Sequence, residues 1–200
     1  MKRKNILITG GAGYIGSHTV IELYNSGYRP IIVDNFSNSS IKNIEGIEQI
    51  IKDKVAFYKF DCTDINQMNQ LFKLENNIEA VIHFAAFKAV EESVREPKKY
   101  YDNNIGSLNI ILSMMKKYEL DNIVFSSSAC VYGIPEILPV SELAPFKKAE
   151  SPYGETKQLC EKLIDGADIN SISLRYFNPV GSHETCLIGD CSADKPNNLV

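Results

Sequence analysis

Two short stretches of this chain hold hydroxyl groups and a lysine at spacings that suit proton transfer. The first is residues 126–133, with the sequence SSSACVYG, and the second is residues 151–157, with the sequence SPYGETK. Tyr153 and Lys157 are four residues apart, so a helix would place them on one face with their Cβ atoms roughly 6 Å apart. Together with Ser128, the last serine of the first stretch, they form a candidate catalytic set.

The chemistry that such a set supports is the removal of a proton from an alcohol while a hydride leaves its carbon. A tyrosine alone is a poor base because its unperturbed pKa is about 10. The Lys157 ammonium one turn away is expected to favour the phenolate and lower that pKa, and the Ser128 hydroxyl could share the proton in transit. A Tyr-x-x-x-Lys spacing also occurs on helices without any catalytic role. Its weight therefore depends on the elements around it.

Those elements are short buried strands that alternate with helices. Runs of β-branched and other apolar residues predict strands at 5–9, 31–33, 55–60, 80–84, 123–125 and 171–176. Apolar residues at helical spacing predict helices that end near residue 26 and that cover 41–51, 65–74, 97–118 and the segment from Tyr153 onward. This alternation is typical of an α/β protein with a doubly wound parallel sheet. Ligands of such sheets bind beyond the carboxyl ends of the strands, where the serines emerge.

A glycine-rich turn between the first strand and the first helix indicates a dinucleotide site. Gly10, Gly13 and Gly16 follow the pattern G-x-x-G-x-x-G. Glycines at such a turn let backbone N–H groups approach a pyrophosphate at the N-terminus of a helix. Asp34 ends the second strand, where a carboxylate accepts hydrogen bonds from the adenosine ribose and repels a 2′-phosphate. NAD is therefore predicted over NADP. Asp61, at the end of the third strand, either contacts the adenine or caps a helix.

Composition and charge narrow the class of protein. The chain has 200 residues, of which 44% are hydrophobic, which is enough for one good-sized domain. Its net charge of −4 argues against nucleic acid or an anionic membrane as a partner. We find neither a transmembrane-like stretch nor a signal peptide, and the five cysteines include no C-x-x-C pair. The sequence thus predicts a cytoplasmic protein without a metal site or disulfides.

With these features in this order, the chain resembles the extended short-chain dehydrogenases/reductases, and among them the sugar-nucleotide epimerases. The resemblance runs from residue 5 to the last residue. Its specific marks are GGAGYIGSHTV at 10–20, DNFSNS at 34–39, HFAAFKAV at 83–90, YYDNN at 100–104, SSSACVYG at 126–133, SPYGETK at 151–157 and RYFNP at 175–179.

The resemblance implies a reaction that fits the chemistry of the candidate set. Tyr153 removes the proton of the sugar 4-hydroxyl while NAD takes the C4 hydride, and the hydride returns to the other face of the 4-keto sugar. The implied activity is the interconversion of UDP-glucose and UDP-galactose in galactose metabolism. It also implies that NAD stays bound, that Ser128 and Lys157 assist Tyr153, and that the protein is a homodimer with a UDP-hexose substrate.

Further site residues are implied by the same resemblance. Those expected to contact the cofactor are Gly10, Gly13, Tyr14, Ile15, Gly16, Asp34, Asn35, Phe36, Ser37, Asn38, Ser39, Asp61, Cys62, Phe84, Ala85, Ala86, Phe87, Lys88, Asn103, Ser128, Tyr153, Lys157 and Phe177. Those expected to contact the sugar nucleotide are Lys88, Ser128, Tyr153, Asn178, Asn198 and Leu199.

The chain departs from the resembled family chiefly in length. Family members continue past residues 196–199 into a lobe that holds the UDP-sugar. We therefore expect an NAD-binding domain with the catalytic residues at 1–176, and the start of a truncated substrate region at 177–200. One alternative is a non-catalytic NAD-binding fragment or remnant. Another is a dehydratase or decarboxylase of the same family, although Ala129 and Cys130 stand where dehydratases carry acidic residues.

Overall fold

The computed structural model describes residues 3–191 and contains one six-stranded parallel sheet. Its strands are β1 (Asn5–Thr9), β2 (Arg29–Val33), β3 (Ala56–Tyr58), β4 (Ile78–His83), β5 (Asn122–Ser128) and β6 (Asn170–Tyr176). They lie in the order β3-β2-β1-β4-β5-β6. The predicted doubly wound parallel sheet is confirmed, and its order reverses between β1 and β4.

Within residues 3–191, seven α-helices connect and flank these strands. They are α1 (Tyr14–Asn25), α2 (Ile41–Ile51), α3 (Ile65–Leu74), α4 (Val90–Arg95), α5 (Pro97–Tyr100), α6 (Gly106–Lys117) and α7 (Pro152–Asp165). A π-helical segment, Tyr101–Ile105, joins α5 to α6, and a 3₁₀ turn, Ala129–Tyr132, follows β5.

Alternate side chains of the central strands enter two separate apolar cores, because successive residues of a strand point to opposite faces. On one face Ile6, Ile8 and Ile32 pack with residues of α1 and α2. On the other face Leu7 and Ile31 pack with residues of α3, α6 and α7. All five residues of β1 are buried, as expected for a strand covered by helices on both faces.

Strand β6 lies at the edge of the sheet and pairs with β5 alone. Its apolar residues Ile172 and Leu174 remain 59% and 38% exposed. Within residues 3–191, no further strand pairs with its outer edge.

The predicted helix at 97–118 is confirmed in its extent, because the backbone is helical without a break from Pro97 to Lys117, but it is not a regular α-helix throughout. The structure divides this region into α5, the π-helical segment and α6, and it adds α4, which the sequence did not predict. A π-helical turn carries an extra residue, and five residues are too few to alter the apolar periodicity visibly. Strand β5 also extends three residues beyond the predicted run, because its serines keep pairing with β6 as far as Ser128 and Tyr176.

Candidate active site

The glycine-rich turn lies between β1 and α1, at the point where the strand order reverses. Gly10 has a positive φ of 69° and Gly13 is the N-cap of α1. A Cβ on Gly16 would overlap the carbonyl oxygen of Gly10. The turn is therefore a closely packed cradle of backbone that no larger side chain would fit, at a helix N-terminus suited to a pyrophosphate. The residues present fit a dinucleotide.

Asp34 fixes this turn as well as its own loop. Its Oδ2 accepts from the Ala12 N–H (3.1 Å), and its Oδ1 accepts from the Phe36 N–H (2.9 Å) and the Ser39 hydroxyl (2.7 Å). The carboxylate is buried at the end of β2. Asp34 thus joins the glycine turn to the loop at 34–39, both of which were predicted to contact the cofactor.

Asp61 does not cap the helix that follows it. Asp64 is the N-cap of α3 and accepts from two backbone N–H groups of the first turn. Asp61 instead accepts from Asn35 Nδ2 (2.9 Å) and from Thr63, and hydrogen bonds from these residues hold its pKa below the usual range. The neighbouring Cys62 side chain is buried in the apolar core, and burial raises the pKa of its thiol. The helix-cap alternative is therefore wrong, and the adenine contact of Asp61 stays a prediction.

Ser128 ends β5 and begins the 3₁₀ turn. Its hydroxyl oxygen accepts from the Cys130 N–H (3.2 Å), so it acts as the N-cap of that turn. Tyr153 lies beside it in the first turn of α7, directly after Pro152, and Ser151 is the N-cap of that helix. The two predicted hydroxyl residues are thereby brought together from different elements.

The phenol of Tyr153 is buried and hydrogen-bonded to Ser128. Its ring packs edge-on against Tyr100, with centroids 6.5 Å apart. Burial raises the pKa of Tyr153 to about 12, while the hydrogen bond from Ser128 lowers it. The expected net lowering of this pKa by Lys157 is not found, because the cost of burying a phenolate dominates and outweighs the hydrogen bond from Ser128.

Lys157 is buried on the same face of α7, one turn from Tyr153. Its ammonium donates to the carbonyl of Ser126 (2.7 Å) and lies 5.8 Å from the centre of the Tyr153 ring. Burial lowers the pKa of Lys157 to about 8, since the site removes water from the charge. An ammonium that is poorly solvated is available to an incoming oxygen or ribose hydroxyl.

The buried lysine predicts a pH-dependent stability. The pKa of Lys157 in the folded protein is about 8, below its ordinary value of 10.5. Its destabilising contribution to the free energy of unfolding therefore has its full size below pH 8, and it disappears as the pH rises toward 10.5. We expect K157M to raise the free energy of unfolding at neutral pH, on the order of 1–2 kcal/mol. The gain should shrink between about pH 8 and about pH 9.5, measured by urea denaturation. A gain that stays constant over this range would contradict the assignment.

Asn104, in the π-helical segment, holds the loop that follows β4. It is buried, and its side chain accepts from the N–H of Phe87 (2.9 Å) and donates to the carbonyl of Phe87 (3.1 Å). It also donates to Thr156 Oγ1 (3.2 Å) on α7 and accepts from the predicted cofactor residue Asn103 (2.9 Å). Sequence reasoning missed this residue, although it lies in the YYDNN motif.

His83 joins the carboxyl ends of β1 and β4 beneath the same loop. Its Nδ1 lies 2.7 Å from Thr9 Oγ1 and its Nε2 lies 3.5 Å from Ser107 Oγ. Thr9 Oγ1 in turn accepts from the Ala85 N–H (3.4 Å). Complete burial lowers the pKa of His83 to about 3, so the ring is neutral and structural.

A buried ion pair supports the strand end that carries Ser128. The Glu161 carboxylate accepts from Arg175 Nε (3.0 Å) and Nη2 (2.7 Å), and also from the Ser127 hydroxyl. Arg175 Nη1 donates to Tyr132 Oη (3.1 Å) and to the carbonyl of Glu142 (2.9 Å). The pair therefore connects α7, β6, the serines and the 3₁₀ turn. It also was missed from the sequence.

The remaining predicted site residues are more exposed or make fewer contacts than those described above. Phe177 and Asn178 are exposed after β6, and Lys88 makes an ion pair with Asp190 at 3.5 Å. Asn198 and Leu199 lie outside the described residues. In the part of the chain that is described, no group of three or more His, Cys, Asp or Glu residues could hold a metal ion. No helix described there is long and apolar enough to cross a membrane.

Comparison with known proteins agrees with this geometry. The model of the NAD dependent epimerase/dehydratase family matches residues 6–190. The chain belongs to that family. NAD as the predicted cofactor is thereby confirmed for the family, and so is the resemblance drawn from the motifs.

Individual epimerases and their structures resemble the chain closely over part of their length. The UDP-glucose 4-epimerase of Dictyostelium discoideum is 47% identical over 98% of this chain. The crystal structure of UDP-glucose 4-epimerase from Bifidobacterium longum in complex with NAD+ and UDP is 45% identical, with a TM-score of 0.93. That of the Stenotrophomonas maltophila enzyme, with bound NAD and formylated UDP-arabinopyranose, is 42% identical, with a TM-score of 0.92. The chain spans 58% of the Dictyostelium protein and 60% of each structure.

Proposed function

We propose that this family member inverts C4 of a UDP-hexose, interconverting UDP-glucose and UDP-galactose through a 4-keto sugar. The observation that carries the proposal is the buried set of Ser128, Tyr153 and Lys157 beside the glycine cradle of a dinucleotide. The similarity to UDP-glucose 4-epimerases over almost the whole chain supports the substrate class. Because the chain spans under two thirds of those relatives, its own turnover belongs to the proposal.

The chain's own residues have distinct roles in this reaction. Tyr153 takes the proton of the sugar 4-hydroxyl, and Ser128, hydrogen-bonded to the phenol, shares it. Lys157 favours the phenolate form of Tyr153 that accepts this proton, because its ammonium is buried and lies 5.8 Å from the centre of the ring. Burial also excludes water from the keto sugar. Bound NAD supplies the hydride acceptor and donor.

Cofactor binding is proposed for the residues of the glycine turn and the loops that Asp34 and Asn104 hold. The glycine turn presents N–H groups to the pyrophosphate, and the loop at 84–88 faces the nicotinamide side. We further propose that residues 1–176 form the NAD-binding domain with the catalytic residues, and that 177–200 begin the substrate region. A homodimer through α6 and α7 is also proposed, and sedimentation at the monomer mass alone would contradict it.

Two alternatives make different predictions. A dehydratase needs an acid next to the relay serine, whereas this chain has Ala129 and Cys130 in the 3₁₀ turn, which disfavours elimination of water. An NAD-binding protein without turnover would keep the cofactor but leave UDP-galactose unchanged. The deciding experiment is to denature the purified protein, assay the NAD that is released, and test UDP-galactose conversion on the same sample. Absence of NAD from the sample and no binding of added NAD would refute the proposal.

Substitution of a cradle glycine tests the cofactor site directly. We expect G16A to lower NAD affinity by at least about a hundredfold, because a Cβ there overlaps the Gly10 carbonyl and must distort the turn. Calorimetric titration with NAD would measure it. The matched control is G106A, since a Cβ at Gly106 on α6 meets no atom within 4 Å. Equal affinity of G16A and G106A would place the dinucleotide elsewhere.

A further inference from the structure

Residues 178–191, here called the strap, leave the end of β6 and return across the molecule to α1 and α2. Near its start the strap meets α1: the Tyr14 hydroxyl donates to the carbonyl of Gly181 (2.5 Å). The rings of His18 and His183 lie 6.4 Å apart. The sequence of this segment has no periodic pattern, and its course was not predicted.

Farther along, the strap is seated on α2. Ile188 is 3% exposed and packs in the core cluster that contains Ile44 and Ile47. The helix approaches the strap so closely at Gly46 that a Cβ there would overlap the carbonyl of Leu187. This contact depends on the absence of a side chain at one position of α2.

Asn43 couples the strap to the glycine turn. Its side chain is 1% exposed and donates to the carbonyl of Ala12 (2.8 Å) in the turn and to the carbonyl of Gly189 (3.3 Å) in the strap. Its Oδ1 accepts from the Cys191 thiol (3.5 Å). The strap and the cradle are thus held by one buried amide.

The ion pair between Lys88 and Asp190 places the strap across the proposed cofactor crevice. Lys88, after β4, pairs with Asp190 (3.5 Å), whereas Tyr14 and Asn43 belong to the helices that follow β1 and β2. The strap therefore touches both sides of the strand-order reversal between β1 and β4. This is where open α/β sheets bind their ligands.

We propose that the strap closes over the dinucleotide and sets the rate at which it leaves, with Asn43 as the positioning residue that ties the strap to the cradle. The inference rests on the proposed NAD site and deepens it. A dinucleotide seated on the glycine turn leaves only when Ile188 and its neighbours detach from α2, so release follows opening of the strap.

The test opens the strap from outside the cofactor site. G46A introduces a Cβ against the Leu187 backbone, which cannot rotate away, and I188S weakens the same contact from the strap side. We expect each variant to release the bound dinucleotide at least tenfold faster than the parent chain does. The release rate is measured by loading the protein with NADH as the probe, diluting it, and recording the decay of the NADH fluorescence. In limited proteolysis without NAD, the strap of each variant should be cleaved sooner than the strap of the parent chain. G106A, another glycine-to-alanine change on a helix, should change neither rate.

The outcomes separate this inference from the function on which it rests. If the parent chain binds no NADH at all, the proposed cofactor site fails, whatever the strap does. If the parent chain binds NADH and the strap of G46A or I188S is cleaved sooner, but release is unchanged, the strap does not control the cofactor. Unchanged cleavage together with unchanged release in I188S equally overturns the proposal, because the seated isoleucine is then not what holds the strap.

Discussion

Replacing Tyr153 by phenylalanine is expected to slow the transfer of a hydride from UDP-galactose to bound NAD by about 10²–10⁴-fold. The substitution removes one oxygen from a buried site and leaves the ring that packs on Tyr100. Without the phenol, no group in the candidate set can accept the 4-hydroxyl proton as the hydride departs. The near-ultraviolet absorbance of reduced nicotinamide follows this half-reaction in a stopped-flow mixing experiment.

The control for this prediction is a second tyrosine near the same site. The Tyr101 hydroxyl donates to Glu155 at the surface (2.7 Å), so Y101F removes a comparable hydroxyl that has no part in the proposed reaction. Its rate should stay within about twofold of the parent chain, since surface changes of this kind have small effects. NAD content should be equal in all three proteins. A Y153F protein that reduces NAD at the parent rate would remove Tyr153 from the mechanism.

Loss of the buried carboxylate of Glu161 is expected to be the most destabilising single change in the site. The side chain of Glu161 is 4% exposed and that of Arg175 is 21% exposed, and truncating one partner leaves the other charge without its counter-ion. We expect E161A to lower the free energy of unfolding by about 3–5 kcal/mol. Urea denaturation of the whole chain measures this loss. The same variant should weaken the support of Ser127, and hence the position of Ser128.

The same helix provides the control. The Glu155 side chain is exposed, and among the described side-chain hydrogen bonds it accepts only from the Tyr101 hydroxyl, so E155A should cost about 1 kcal/mol or less. Replacing both partners of the buried pair, as in E161L/R175M, should cost less than E161A alone, because no charge is then left unpaired. If E161A and E155A cost the same, the ion pair contributes little to the fold.

The sequence predicted the elements whose residues repeat with a simple period. The helix at 65–74 and the strand at 5–9 agree with α3 and β1 residue for residue. The glycines at 10–16 and the Tyr-x-x-x-Lys spacing also agree with the structure, because each depends on residues close together in the chain. These local patterns were enough for the fold class and for the centre of the candidate site.

What the sequence could not show depends on contacts between distant segments. Asn104 holds Phe87 only because a π-helical turn aims its amide at a loop 17 residues earlier. Glu161 and Arg175 meet across α7 and β6, and neither has a neighbour in sequence that indicates a pair. The strap lacks periodicity altogether. The lowered pKa expected for Tyr153 failed for a related reason: the depth of burial follows from the whole fold, and no spacing between two residues reveals it.

The edge strand β6 has a practical consequence for handling the protein. Its outer backbone groups are unpaired with any other strand of the described chain, and Ile172 and Leu174 lie partly exposed along it. Such an edge is a template on which a second polypeptide can add a strand. Strand addition at high concentration, beyond the proposed homodimer, would thus start at β6, and a lysine in place of Ile172 is the simplest way to keep samples monodisperse without changing a site residue.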